Sequence, residues 1–400
     1  MKIESIQLAH YPPRVKINCV KNKNVIQSQE LYLPHKCFLP SWQDYLLNHS
    51  RILKYYEEKL SYILDLLLQG QNSLNNKQFK LLKQHIPHIC QTTSISLSSS
   101  HIVSTGYEGN VIISDTQLNN ELHFNTQGPT FCSSLQNNYL VIGSLDGFVR
   151  VFDLTLRQKF SVQNKEQSPI LCCDFKENKL AYGLENGQAV VYDIEDKQYV
   201  KLQQHAQEVV QILLLGEYCY TAGFDGQVFR NDLRDLKTTS RLTTGSNSSG
   251  KTFQSFNEPI LCMKIVNQLM LIASTSEIRI VNLNNGRAKM KINGNNIKCA
   301  DLAWNGSVLY SDIEQTKVIN CEQKIVFECK KSCEHALFLN PGADQNLILV
   351  TKGQIMFKTE NGSTDVIGNG ADVTGIEASR NGLEIVCSRS DGSVEVYAAK

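Results

Sequence analysis

Three groups of residues in this 400-residue chain have the types and spacing of chemical sites. Gly245, Gly250, Lys251 and Thr252 satisfy G-x-x-x-x-G-K-[ST], the form of a phosphate-binding loop. That loop works only where a buried strand enters and a helix leaves, so that backbone N–H groups and the helix dipole face the phosphates. Here KTTSRLTT precedes it and FQSFNEP runs on into Pro259. A Ser/Gly-rich surface loop is therefore the preferred reading. Cys329, Cys333 and His335 place three soft ligands within seven residues. Zinc takes four ligands, or three plus water, and no fourth is near in sequence. Ordinary strand residues are expected there, with no metal and no cofactor. His85 and His88 flank Pro87 at an expected helix end, where an imidazolium suits the dipole. Neither G-x-S-x-G nor H-E-x-x-H occurs. No catalytic residue is assigned, and the chain is expected not to be an enzyme.

Composition narrows the setting. Lys+Arg 40 against Asp+Glu 39 gives a net charge of +1, which argues against a coat for nucleic acid or an anionic membrane. Arg14, Lys16, Lys21 and Lys23 form a small basic cluster, read as a solvated strand face. Apolar runs such as Leu213–Leu215 fall far short of the roughly 20 residues that span a bilayer. The first residues lack a signal-peptide core and carry Glu4. Thirteen cysteines are scattered without framework spacing, so reduced thiols and a cytoplasmic or nuclear location are expected.

The element that must position any site is a repeat. From residue 101 a short apolar strand is followed by a small or acidic residue with Gly, then by a second strand. Clear copies are HIVSTGYEGNVIISD, YLVIGSLDGFVRVFD, KLAYGLENGQAVVYD and YCYTAGFDGQVFRND. Weaker copies begin at Leu269, Ser307 and Leu347, and the last is LEIVCSRSDGSVEVY. The turn positions Gly109, Gly147, Gly187, Gly226, Glu277, Lys317, Gly353 and Gly392 are spaced 38, 40, 39, 51, 40, 36 and 39 residues apart. One unit per about 40 residues is the period of a four-stranded propeller blade. A unit that small cannot bury its own apolar face, so radial stacking is required. PTFC at 129–132, PILC at 169–172 and PILC at 259–262 supply inner strands, with Cys as a small hydrophobe, and Cys299 sits at the matching distance.

These residues resemble the WD-repeat family. The Trp-Asp dipeptide is degenerate, appearing as Ser114-Asp115, Phe152-Asp153, Tyr192-Asp193, Asn231-Asp232 and Val281-Asn282. His205 is similar to the His that opens a family repeat, and Asp146, Asp225 and Asp391 match its turn Asp. The resemblance implies a buried His–Asp hydrogen-bond network with a structural role, incomplete in most blades. The expected fold is an all-β propeller, with eight blades favoured over seven. Ring closure needs an outer strand for the last blade, and Arg14–Val20, which alternates apolar and polar residues, is the expected donor, with Ile3–Leu8 as alternative.

Residues 33–90 break the β pattern. A long helix is expected over 42–69, with Ser41 and Asp44 near its start, and a second over 76–85 ending at Pro87. The expected organisation is a strand segment at 1–32, a helical hairpin at 33–90, and the propeller at 91–400 with a flexible insertion at 236–257. The hairpin either packs on the propeller rim or docks a partner. An F-box-like hairpin would make the protein a substrate receptor of a ubiquitin ligase, although the stretch from Leu33 has the opening Leu-Pro without the spaced Trp. The preferred function is a non-enzymatic scaffold for other proteins within a larger assembly, with no small-molecule substrate, membrane insertion or nucleic acid. Its contact residues are expected at the turns, on Tyr107, Leu145, Glu185 and Phe224.

Overall fold

The computed structural model describes residues 2–10, 13–21, 24–32, 79–126, 128–136, 139–164, 167–234, 250–339, 346–359, 364–379 and 382–399. They fall in two compact units, Met1–Gln69 and Gly70–Lys400. In the first unit Lys2–His10, Pro13–Lys21 and Asn24–Tyr32 form a three-stranded antiparallel meander. The helix expected over 42–69 and the F-box-like stretch lie outside the described residues.

The second unit consists of eight four-stranded antiparallel sheets. Blades 1 to 8 open with innermost strands Thr92–Leu97, Thr130–Gln136, Ile170–Lys176, Val209–Leu215, Ile260–Val266, Cys299–Leu302, His335–Phe338 and Val373–Ala378. Each innermost strand touches the next, and the eighth touches the first, so the ring is closed. The two weak repeats at Ser307 and Leu347 are full blades: Val308–Ser311 pairs with Thr316–Ile319, and Leu347–Thr351 with Gln354–Lys358. Eight is therefore the blade number.

The second strand of each blade explains why its sequence was legible. In Tyr139–Ser144 every residue after Tyr139 is buried, because each blade is covered on both faces by its neighbours. The outermost strands are different. Gln158–Gln163 and Thr364–Asn369 are largely exposed, with little alternation to betray them.

That weak signature accounts for three differences from expectation. The slot beside Val394–Ala399 is filled by Phe79–His85 and not by Arg14–Val20, which lies within a strand paired on both sides in the N-terminal meander. Residues 79–85 are thus a strand where a helix was expected. Phe79 is buried against Phe357, with ring centroids 4.9 Å apart and edge-on, and the intervening residues are exposed. The expected insertion is also shorter. Lys251–Ser255 is the outer strand of blade 4, paired with Gln227–Asp232. Lys251 and Thr252 therefore lie in a strand and not at a helix start, which removes the geometry a phosphate loop needs.

A belt of side-chain bonds joins the innermost strands around the ring. Glu377 Oε2 accepts from Leu97 N at 2.8 Å, linking blade 8 to blade 1, and Ser94 and Ser96 meet Ser133 at 2.8 and 2.9 Å. Gln136 Nε2 donates to Asp174 Oδ1 at 3.4 Å, and Asp174 Oδ2 accepts from Leu214 N at 2.7 Å. Gln211 exchanges two bonds with the Met263 backbone, at 2.5 and 2.9 Å. Lys264 pairs with Asp301, Asp301 Oδ2 accepts from Phe338 N at 2.9 Å, and His335 Nε2 donates to Val373 O at 3.1 Å. All eight blade junctions carry one.

Blade 8 has a further fastening. Arg389, 1% exposed, pairs with Glu395 at 2.8 Å and donates to Gly353 O and Ala371 O at 2.9 and 2.6 Å. Tyr397 Oη donates to the same Glu395 oxygen at 2.5 Å. The buried charge is paired and hydrogen-bonded to the turn of the neighbouring blade, the condition under which burial of an ion is tolerated.

Candidate interaction face

The turns between second and third strands lie at the same end of the ring as the connectors that lead into each innermost strand. Gly226, with φ +75°, shows how tightly the two are joined: a Cβ there would sit 2.6 Å from Phe256 O of the connector. The left-handed backbone and the absent side chain are both required. The residue that opens each turn is pinned through its backbone. Tyr107 N donates to Gln91 O at 3.0 Å, Leu145 N to Pro129 O at 2.9 Å, Glu185 N to Pro169 O at 3.0 Å and Phe224 N to Glu208 O at 2.9 Å. Ser390 N repeats the bond to Asp372 O at 2.8 Å.

The four expected contact residues thus occupy one repeated position on one face, each on its own blade. Tyr107 is 51% exposed and Phe224 44%, Glu185 is exposed and Leu145 half-buried. Tyr107 packs edge-on to Phe131, centroids 6.1 Å apart, so part of its ring covers the start of the innermost strand of blade 2. The backbone is fixed while the side-chain ends face outward.

Beneath this face run the buried networks. His205 Nδ1 meets Asp225 Oδ1 at 3.1 Å and Nε2 meets Thr221 Oγ1 at 2.8 Å. His88 makes the same arrangement one ring position from the closure, with Glu108 Oε1 at 2.7 Å and Ser104 Oγ at 2.8 Å. The helix-end reading of His88 is thereby corrected: it is 2% exposed in the connector into blade 1. Its signal in sequence was the spacing, since both histidines precede their Ser/Thr by 16 residues and their acid by 20. Glu108 in place of Asp hid it. Burial lowers both imidazole pKa values despite the raising effect of each carboxylate, so they are neutral at pH 7. Asp146 pairs with Arg150 at 2.5 Å, and Asp391 accepts from Ser393. At the Trp position of blade 4, Asn231 is fully buried; its Oδ1 accepts from Gln203 N at 3.3 Å.

Other candidate chemistry dissolves into structure. Cys329 ends an outer strand, Cys333 is buried against Thr316, and His335 belongs to the belt. No metal-ligand cluster occurs among the described residues. The thiols of Cys172, Cys219 and Cys387 are pushed well up by burial, the condition of inert core cysteines. A cavity of about 520 Å³ opens along the innermost strands of blades 5 to 8. Its Lys264, Asp301, His335 and Glu377 are already engaged in joining blades, and burial pushes the Glu377 carboxyl up to about 7. No described helix is long and apolar enough to cross a membrane.

No family model matches the chain, and no curated protein sequence matches it. Solved structures do match its fold. A computationally designed protein, Ika8, aligns with TM-score 0.66 and 16% identity, over 80% of this chain and 99% of its own. The WD40 propeller domain of Doa1 aligns with TM-score 0.53 and 16% identity, over 80% and 97%. BamB from Moraxella catarrhalis aligns with TM-score 0.62 and 13% identity, over 80% and 100%. At these identities the likeness concerns architecture alone. The described residues are all-β, and those from 79 to 399 form an eight-bladed propeller of WD-repeat-like construction.

Proposed function

We propose that the protein is a non-enzymatic interaction scaffold, a subunit of a larger assembly, that recognises other proteins through the face carrying Tyr107, Leu145, Glu185 and Phe224. The observation that supports this reading is the repeated backbone lock at those four turns, which presents side chains without leaving the loops free to move. A surface ordered beforehand gives up little entropy on binding. Exposed Tyr and Phe on such a surface are the types enriched at binding hot spots. The abundance of unpaired thiols fits a reducing compartment, cytosol or nucleus, as the setting.

The test uses the full chain expressed in its native source. Tyr107→Ala with Phe224→Ala is compared with Tyr139→Ala and Trp304→Ala, which alter exposed aromatics at the opposite end of the ring. Proteins that co-purify with the wild type are expected to be lost with the first pair and kept with the second. Equal recovery with both pairs, at equal thermal stability, overturns the reading.

A further inference from the structure

The charges on the turn face are unevenly distributed. From the connector into blade 8, through blades 1 to 4, to the turn of blade 5, the described turns and connectors contain no Lys or Arg at all. They do contain Asp372, Asp391, Glu108, Asp146, Glu185, Glu208, Asp225 and Glu258. Five of these serve the fold: Glu108 and Asp225 hold histidines, Asp146 is neutralised by Arg150, Glu258 meets Thr275, and Asp391 accepts from Ser393 N and Oγ. Glu185, Glu208 and Asp372 have no cation against them among the described residues. The cations among the described residues of this face, Lys298, Lys330, Lys331 and Lys352, are gathered on the turns and connectors of blades 6 and 7. An otherwise near-neutral chain thus presents a broad acidic sector in which the aromatic rings of Tyr107 and Phe224 are set.

We infer that the occupant of this sector is a Lys/Arg-rich segment of another protein that also carries an apolar side chain. The inference rests on the reading of this face as the recognition surface and adds the chemistry of the partner. Complementary charge steers encounter and rejects like-charged competitors. Phosphate backbones are among those rejected, since nucleic-acid affinity depends on cations, which the described turns and connectors of this sector lack. The apolar side chain has a seat on Tyr107 or Phe224, where burial gives affinity that charge alone does not. Cationic side chains have Glu185 and Glu208 within the same sector, on the turn of blade 3 and the connector into blade 4.

The experiment uses the full-length protein and a short fluorescent peptide of Arg, Lys and Leu, with a counterpart carrying Glu for every cation. The basic peptide binds and the acidic one does not, and binding weakens with salt as the screening length shrinks from about 10 Å at 0.1 M to about 3 Å at 1 M. Glu185→Lys with Glu208→Lys weakens binding about tenfold or more at low salt. Glu177→Lys with Asp196→Lys, the same charge change at the opposite end, leaves it within about twofold. Equal binding of both peptides, or equal loss from both reversals, overturns the inference. Native partners lost with Tyr107→Ala and Phe224→Ala but retained with the Glu185 and Glu208 reversals overturn the basic-partner inference alone. Partners retained with every one of these variants overturn the recognition face itself.

Discussion

At the end of the ring where third strands turn into fourth strands, Asp115, Asp153 and Asp193 close their own turns. Asp115 accepts from Gln117 N and Asn119 N at 3.0 and 2.8 Å, Asp153 from Thr155 N and Arg157 N at 2.9 and 3.0 Å, and Asp193 from Glu195 N and Asp196 N at 3.0 and 3.2 Å. The Lys159 ammonium and the Thr155 hydroxyl hold the Asp153 carboxyl well below the usual carboxylate range. At the other end Glu185 and Glu208 cap nothing and pair with no described cation. Acidic side chains are committed to local structure in these three turns, whereas Glu185 and Glu208 are left to solvent at the other end. The Asp of the degenerate Trp-Asp dipeptide is therefore a turn-closing device, whereas Glu185 and Glu208 at the opposite end are available to a partner.

The largest effect that bears on this contrast comes from Arg389, a cation turned inward beneath the turn face. Arg389→Ala leaves Glu395 buried and uncompensated, and urea unfolding should show a loss of about 3–5 kcal/mol. A loss under about 1 kcal/mol would mean that the turns of blades 7 and 8 are not anchored from within. Next in size is the pH response. Burial lowers the His88 and His205 pKa values below those of the unfolded chain, so the unfolded state takes up protons first. Their stabilisation is present above about pH 6.5 and declines as pH falls through it, by up to about 1.4 kcal/mol per pH unit for each imidazole. His205→Gln should flatten that slope below about pH 6.5; an unchanged slope would show that the network does not titrate. The smallest effect is the most direct comparison. Asp193→Ala should cost about 0.5–1 kcal/mol, the scale of a lost cap, and Glu185→Ala should stay within about 0.5 kcal/mol. Equal losses would erase the distinction between the faces.

What could be read from residues alone follows burial. The hairpins around Gly147, Gly187 and Gly226 were legible because their second strands are covered on both sides and their turns demand glycine. Even the copies at Ser307 and Leu347, whose turns lack the full pattern, kept that apolar run. Phe79–His85 was not legible, since only its first residue is buried and Leu81 and Leu82 fit helical spacing as well as an exposed strand. Misplacing that strand also misplaced His88, three residues beyond it. Of the candidate face, the turn positions were readable, but the charge asymmetry was not. It depends on which turns and connectors share an end of the ring, and no local pattern carries that.

The joint between the first and last described strands of the propeller has a kinetic meaning. His85 pairs with Val394 and Phe79 with Ala399, partners 309 and 320 residues apart. At about 5–20 residues per second of synthesis, Phe79–His85 leaves the ribosome roughly 15–60 s before its mate exists. Throughout that interval seven sheets can assemble but the circle cannot shut, and two raw margins stay open to any passing β-strand. The nascent propeller is thus open-edged for most of its synthesis, and lesions in Val394–Ala399 will reach the seam at Phe79 as surely as lesions in Phe79 itself.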